Sequence, residues 1–121
     1  MGVDVVLARR MDRWLAVPGL PERYFSPCEI ERARASGGGA ALSLAARFAA
    51  KEAFGKALGT GLAGIALKDI MVVSDRRGRP AIRLAGTAMA ALAGSGASRA
   101  HLSLAHERDS AVAVVVLESF P

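Results

Sequence analysis

The chain has one cysteine, Cys28, so no disulfide can form within it, which fits a reducing compartment. Aromatic residues make up only 5% of its 121 positions. That is too few to build the stacking platforms on which single-stranded nucleic acid binds. No apolar run reaches the roughly 20 residues of a membrane-spanning helix; the longest, from Ala111 to Leu117, has the length of a strand. Only Met1 precedes the first strand-like run, which leaves no room for a secretory leader. A cytoplasmic protein without a membrane or nucleic-acid partner is expected. Acidic residues are also scarce: 11 Asp and Glu stand against 16 Lys and Arg, a net charge of +5. Such a surplus attracts anions, whether nucleic acid, a phosphorylated small molecule or an acidic protein, and charge alone does not choose among them.

Apolar residues are abundant. At 52% of the chain, they suffice for one domain, 1–121, burying about two-thirds of its unfolded surface around a single core. Gly2 to Leu7 (GVDVVL) reads as a short buried strand interrupted by Asp4. Inside such a strand a carboxylate must be paired, hydrogen-bonded or metal-bound, unless the strand is an edge that lets it reach water. Ala8 to Val17 follows as a helix with Leu7, Met11, Trp14 and Leu15 on one side and Arg9, Arg10 and Arg13 on the other. The basic side is either a solvated helix face or a docking patch for an acidic partner. Pro18-Gly19-Leu20-Pro21 breaks the chain. Ser26-Pro27-Cys28-Glu29 combines a capping serine, an N-terminal proline and the glutamate of a capping box, and starts a helix that runs to about Ala35. The glycine run after Ser36, with Gly37, Gly38 and Gly39, lacks the lysine of a phosphate-binding loop and reads as a flexible connector.

A long helix should then run from near Ala40 to Gly59, where glycine can leave it in the left-handed conformation. Phe48, Glu52 and Lys56 fall in one row along it. Taken alone, Glu52 and Lys56 are a surface ion pair worth a few tenths of a kcal/mol. Beyond Gly61, Asp69 to Ser74 and Pro80 to Leu84 read as a hairpin joined by the polar turn 75–80. Gly86 to Ala93 is a short helix with Thr87 as a cap. Arg99 to Ala105 and Ser110 to Glu118 are the last strands, with His106 at the mouth of the turn 106–109. A lone histidine there is a structural residue or a ligand contact. The order β-α-α-α-ββ-α-ββ indicates an α+β fold with a mainly antiparallel sheet and a long central helix.

One combination is specific. Arg47-Phe48-Ala49-Ala50-Lys51-Glu52-Ala53-Phe54, followed by Lys56-Ala57-Leu58-Gly59-Thr60-Gly61, resembles the central segment of the holo-acyl-carrier-protein synthases almost letter for letter. These are the short class of 4′-phosphopantetheinyl transferases. Gly2-Val3-Asp4-Val5-Val6 resembles the family's N-terminal motif, with shorter matches at Lys68-Asp69-Ile70, Gly78-Arg79-Pro80 and Leu102-Ser103-Leu104-Ala105-His106. The resemblance implies that fold, and transfer of 4′-phosphopantetheine from coenzyme A to a serine of an acidic acyl carrier protein. It implies Mg²⁺ on Asp4 and Glu52, with Glu52 as the base and Lys56 stabilising the leaving phosphate. Arg47, Lys56 and His106 would meet the coenzyme A phosphates, Gly59 and Gly61 would admit the ligand close to the backbone, and Gly78 and Pro80 would shape the loop near the adenine. The carrier would dock on Arg9, Arg10, Arg13 and Arg23.

By the same resemblance the protein is a homotrimer with shared sites. The strand Ala111 to Leu117 would lie in the contact, and Asp4 of one subunit would complement Glu52 of another. Three positions depart from the family pattern. Ala105 replaces a serine, Ser74 replaces a frequent asparagine, and Val6 stands where longer transferases carry another acid, so that water would fill that metal position. The competing class is a small basic binding module without chemistry. Such a module gains nothing from Asp4 and Glu52 together, whereas a magnesium enzyme requires them.

Overall fold

A computed structural model describes residues 1–36 and 39–120; Gly37 and Gly38 of the connector lie outside the described residues. The elements are β1 (Gly2–Leu7), α1 (Ala8–Ala16), α2 (Leu20–Tyr24), α3 (Pro27–Ala35), α4 (Ala40–Leu58), a 3₁₀ turn (Leu67–Asp69), β2 (Ile70–Ser74), β3 (Pro80–Leu84), α5 (Gly86–Gly94), β4 (Arg99–Glu107) and β5 (Ser110–Glu118). The α+β expectation holds, but the strands form two sheets. β1-β5-β4 is one and β2-β3 the other, and both are antiparallel.

The helix α4 lies across β1 and β5 and forms the centre of the core. Its sequence is rich in alanine, and Ala45, Ala49, Ala50 and Ala53 are fully buried, so neighbours approach its backbone closely. It stops at Gly59, which takes φ 82° as the C-cap. In β5, Ala111, Ala113 and Val115 face α4, while Val112, Val114 and Val116 point to the other side of the sheet. β1 follows the same alternation. Val6 is buried, yet Val3 and Val5 are 46% and 58% exposed. Neither strand is buried throughout, because α4 covers only one face of the sheet.

Four further expectations are corrected. The break at Pro18 to Pro21 is shorter than expected: Gly19 at φ 81° makes the reversal, and Leu20 opens the short helix α2, with Pro21 in its first turn where the missing N–H costs nothing. Asp69 lies outside β2. It turns toward α5, where Oδ2 accepts bonds from the Thr87 backbone N–H (2.8 Å) and hydroxyl (2.6 Å). The cap of α5 is therefore Asp69, and these bonds hold its carboxyl below the ordinary aspartate value. Thr87 does not cap; its Oγ1 accepts from the Ala66 N–H. Finally, His106 and Glu107 belong to β4, and the turn is Arg108 and Asp109, with Arg108 at φ 56°.

Candidate functional site

The site begins with an absent side chain. A Cβ on Gly2 would lie 2.1 Å from the Ala53 carbonyl oxygen and 2.6 Å from the Ala57 nitrogen. Glycine lets β1 rest directly on the backbone of α4. Two residues along, on the same face, the partly buried Asp4 is carried to Lys56. Lys56 Nζ donates to Asp4 Oδ1 at 2.8 Å and to the Val3 carbonyl at 3.2 Å. The hydrogen bond to Asp4, then its charge, raise Lys56 above the ordinary lysine value; slight desolvation opposes this and the Glu52 charge adds to it. No ion pair between Glu52 and Lys56 is present among the described residues. The lysine is paired across the β1–α4 contact, and Glu52 stands half-buried beside it on the helix.

Within one chain Asp4 and Glu52 both stand beside Lys56. Their donor set fits Mg²⁺. No third His, Cys, Asp or Glu joins them among the described residues. Magnesium commonly binds one or two protein carboxylates and takes its remaining oxygens from water and substrate phosphates. Beyond the helix, Gly59 and Gly61 adopt φ 82° and 69°. The Gly61 N–H returns to the Gly55 carbonyl at 3.0 Å, and a Cβ on Gly55 would meet Gly61 at 2.8 Å. The Gly-Thr-Gly loop is folded tightly against the end of α4 that carries Lys56.

The other expected contacts lie elsewhere. Arg47 is nine residues before Lys56, about 180° around the helix. Its NH1 donates to the Ser43 carbonyl at 3.2 Å and to the Ser43 hydroxyl, while its buried Nε lacks a partner. Burial lowers its pKa, with Glu29 and Arg32 of α3 acting as the nearest charges. Pro80 lines a cleft of about 400 Å³ between the β2–β3 hairpin and β4, with Asp75, Arg79 and Ser103. Gly78, at φ 79°, forms the hairpin turn, where Asp75 Oδ1 accepts from the backbone of Arg77 and Arg79. His106 pairs with Ala111, on the far side of β5 from β1. Two strand spacings, roughly 10 Å, separate it from the Asp4 strand. Within one chain the Asp4 group and the His106 group therefore lie at opposite edges of the sheet, and Arg47 stands apart from both.

The basic residues gather at the β1–α1 corner. Arg9, Arg10 and Arg13 surround a cleft of about 280 Å³ floored by Val5, Val6 and Leu7. The Arg10 guanidinium lies 4.9 Å from the Phe48 ring centre. Phe48 packs against Trp14, Trp14 against Tyr24, and Arg23 sits over Tyr24 at 5.9 Å. An aromatic cluster thus carries an arginine at each end.

Sequence reasoning gave no role to Lys51 and treated Glu29 only as a capping residue. The capping box is present, with Ser26 N–H to Glu29 Oε1 at 3.0 Å and Glu29 N–H to Ser26 Oγ at 3.3 Å. The same carboxylate is buried and meets the fully buried Lys51 at 2.9 Å. Burial pushes Lys51 below the ordinary lysine value and Glu29 offsets this. The capping-box spacing marked Glu29, but no local signal marks a partner 22 residues away.

Residues 1–115 match the family model described as the 4′-phosphopantetheinyl transferase superfamily. The chain is 54% identical to the holo-[acyl-carrier-protein] synthase of Treponema denticola, over 98% of this chain and 96% of that one. Among solved structures it resembles the Neisseria meningitidis holo-[acyl-carrier-protein] synthase at TM-score 0.86 and 33% identity, covering 98% and 96% of the two chains. The Helicobacter pylori holo-[acyl-carrier-protein] synthase, solved in complex with coenzyme A, is similar at TM-score 0.82 and 28% identity, covering 97% and 98%.

Proposed function

The chain belongs to the 4′-phosphopantetheinyl transferase superfamily, and on that premise we propose the reaction and its residues. It transfers 4′-phosphopantetheine from coenzyme A to a serine of an apo acyl carrier protein, giving holo carrier and 3′,5′-ADP. The observation that carries the assignment of residues is the meeting of Asp4, Lys56 and Glu52 where β1 crosses α4.

Asp4 and Glu52 would hold Mg²⁺, which would neutralise the diphosphate and make its phosphorus a better electrophile. Glu52, directly or through a water, takes the proton of the carrier serine as its oxygen attacks the phosphorus that bears the pantetheine. The phosphorus–oxygen bond to the nucleotide breaks, and the charge left on the departing phosphate is met by the Lys56 ammonium. An exposed lysine is charged throughout the neutral range and so is ready for that task. A non-catalytic basic module would have no use for two carboxylates at the point where an anion arrives.

The carrier docks at the β1–α1 corner, where arginines rim an apolar cleft suited to the acidic face of a small helical protein. The protein acts as a homotrimer. Val3 and Val116, beside the half-buried Val112 and Val114, leave an apolar face on the β1-β5-β4 sheet, and covering that face suits self-association. A shared site also accounts for the two separated groups of ligand residues. One copy contributes Asp4, Glu52 and Lys56, and its neighbour contributes His106 with the Gly78–Pro80 loop.

The test is the intact mass of an apo acyl carrier protein after incubation with the protein, coenzyme A and Mg²⁺. A gain of one phosphopantetheine, abolished by EDTA, is expected. No gain with several carriers, together with no binding of coenzyme A, overturns the reading.

A further inference from the structure

Glu29 and Lys51 are the two charged side chains enclosed in the described core, and the reaction above uses neither. Lys51 Nζ donates to Glu29 Oε1 at 2.9 Å, to the Leu67 carbonyl at 2.8 Å and to the Ile70 carbonyl. All three ammonium donors are thereby used. Glu29 in turn accepts from the Ser26 N–H through Oε1 and from the Val72 N–H at 3.2 Å through Oε2. Phe25 closes one side, its ring centre 5.2 Å from Nζ. These bonds tie α3, α4, the 3₁₀ turn and β2 to a single point.

The pair satisfies buried backbone groups of Leu67, Ile70 and Val72 that apolar residues of similar volume would leave unpaired. Directional bonds add orientation. Lys51 immediately precedes Glu52 on α4, so the two side chains leave the helix about 100° apart. Fixing one inward fixes the direction of the other. The same bonds reach Ile70 and Val72 of β2, whose pairing with β3 ends at Ser74 and Pro80 beside the cleft.

We propose that the Glu29–Lys51 pair is a positioning device for the transfer reaction, setting the rotation of α4 so that Glu52 and Lys56 meet Asp4 and holding the β2–β3 hairpin to the same helix. The inference rests on the transferase reading. Neither residue touches the reacting atoms.

The test is the double variant Glu29→Gln/Lys51→Met, which removes both charges and keeps their approximate shapes. The amide oxygen of the new side chain can still accept from Ser26 or Val72. Because methionine donates to neither the Leu67 nor the Ile70 carbonyl, the variant is expected to melt below the wild type, and its activity is compared per folded molecule. Its kcat should fall about 10-fold or more, and the KM for coenzyme A should rise because the hairpin that carries Gly78 and Pro80 is released from α4. In the absence of substrates, its affinity for Mn²⁺, followed by electron paramagnetic resonance, should fall roughly 10-fold, as when groups behind metal ligands are removed. Unchanged kcat and Mn²⁺ affinity per folded molecule overturn the proposal and leave the pair a structural one. If the double variant does not fold, Lys51→Gln, which keeps donors for the Leu67 and Ile70 carbonyls, is held to the same criteria. A wild type that neither binds Mn²⁺ nor modifies a carrier overturns the transferase reading, and this inference falls with it.

Discussion

Lys56 is held by a residue 52 positions away rather than by the glutamate one helical turn before it. That choice leaves Glu52 free of an ion pair and able to act as a base. Glu52→Gln should therefore lower the rate of holo-carrier formation by about 10²–10⁴, the usual scale of general-base loss. Coenzyme A binding, followed by calorimetry, should persist. The Asp4 bond also sets a titration. In the metal-free protein, folding raises the Lys56 pKa, so the pair contributes fully below the ordinary lysine value and is lost as pH climbs through the raised one. Asp4→Asn should move the Lys56 titration, read by nitrogen NMR, back down toward that ordinary value. An unmoved titration would place the cause elsewhere. The letters around Glu52 and Lys56 made both residues legible in the sequence, and Asp4 stood out as an acid within a strand. Their pairing was not legible, because helical periodicity describes neighbours on one element and this contact joins two. Lys51 illustrates the same limit: within an alanine-rich helix it resembles any solvated lysine, and only the packing of α3 and β2 makes it internal.

Elements were read well where local chemistry defines them. Serine, proline and glutamate marked the start of α3, and glycine marked the end of α4. Reading failed where an element's end is set by a distant group. Asp69 was taken as the first residue of a strand, yet its side chain caps α5 across 18 residues. It also crowds Gly86, where a Cβ would lie 2.7 Å from Oδ2. The burial of β1 was overestimated for a similar reason, since a GVDVVL run does not reveal that only one of its faces is covered. The strand's seat on α4 depends on Gly2. Gly2→Ala should destabilise the fold by about 1–3 kcal/mol, the range for overpacking a close contact. It should also reduce transfer by lifting Asp4 away from Lys56. Denaturant unfolding and initial rates measured on one preparation check both effects, and a stable variant with normal rates would show that β1 can shift without disturbing the site.

At the scale of the molecule, the positive surplus and the division of the site argue for two kinds of partner. Arg13→Glu reverses a charge at the rim of the β1–α1 cleft, outside the core. It should raise the KM for the carrier severalfold, more steeply at low salt, and leave the KM for coenzyme A unchanged. Equal effects on both substrates would mean that the arginine serves the nucleotide instead. The second proposed partner is another copy of the chain. Asp4 on β1 and His106 on β4 lie on opposite sides of β5, and a shared site would bring His106 of one copy to Glu52 of another. Glu52→Gln and His106→Ala should each lose most activity when assayed alone. Unfolded, mixed in equal amounts and refolded together, they should regain it in part, because in a closed ring about a quarter of randomly formed interfaces join an intact Glu52 to an intact His106. The mixture should then run at roughly a quarter of the wild-type rate, with a mass on light scattering that corresponds to three chains. Recovery requires that the two residues come from different subunits. If each subunit held a complete site, the mixture would show only the mean of its two inactive components.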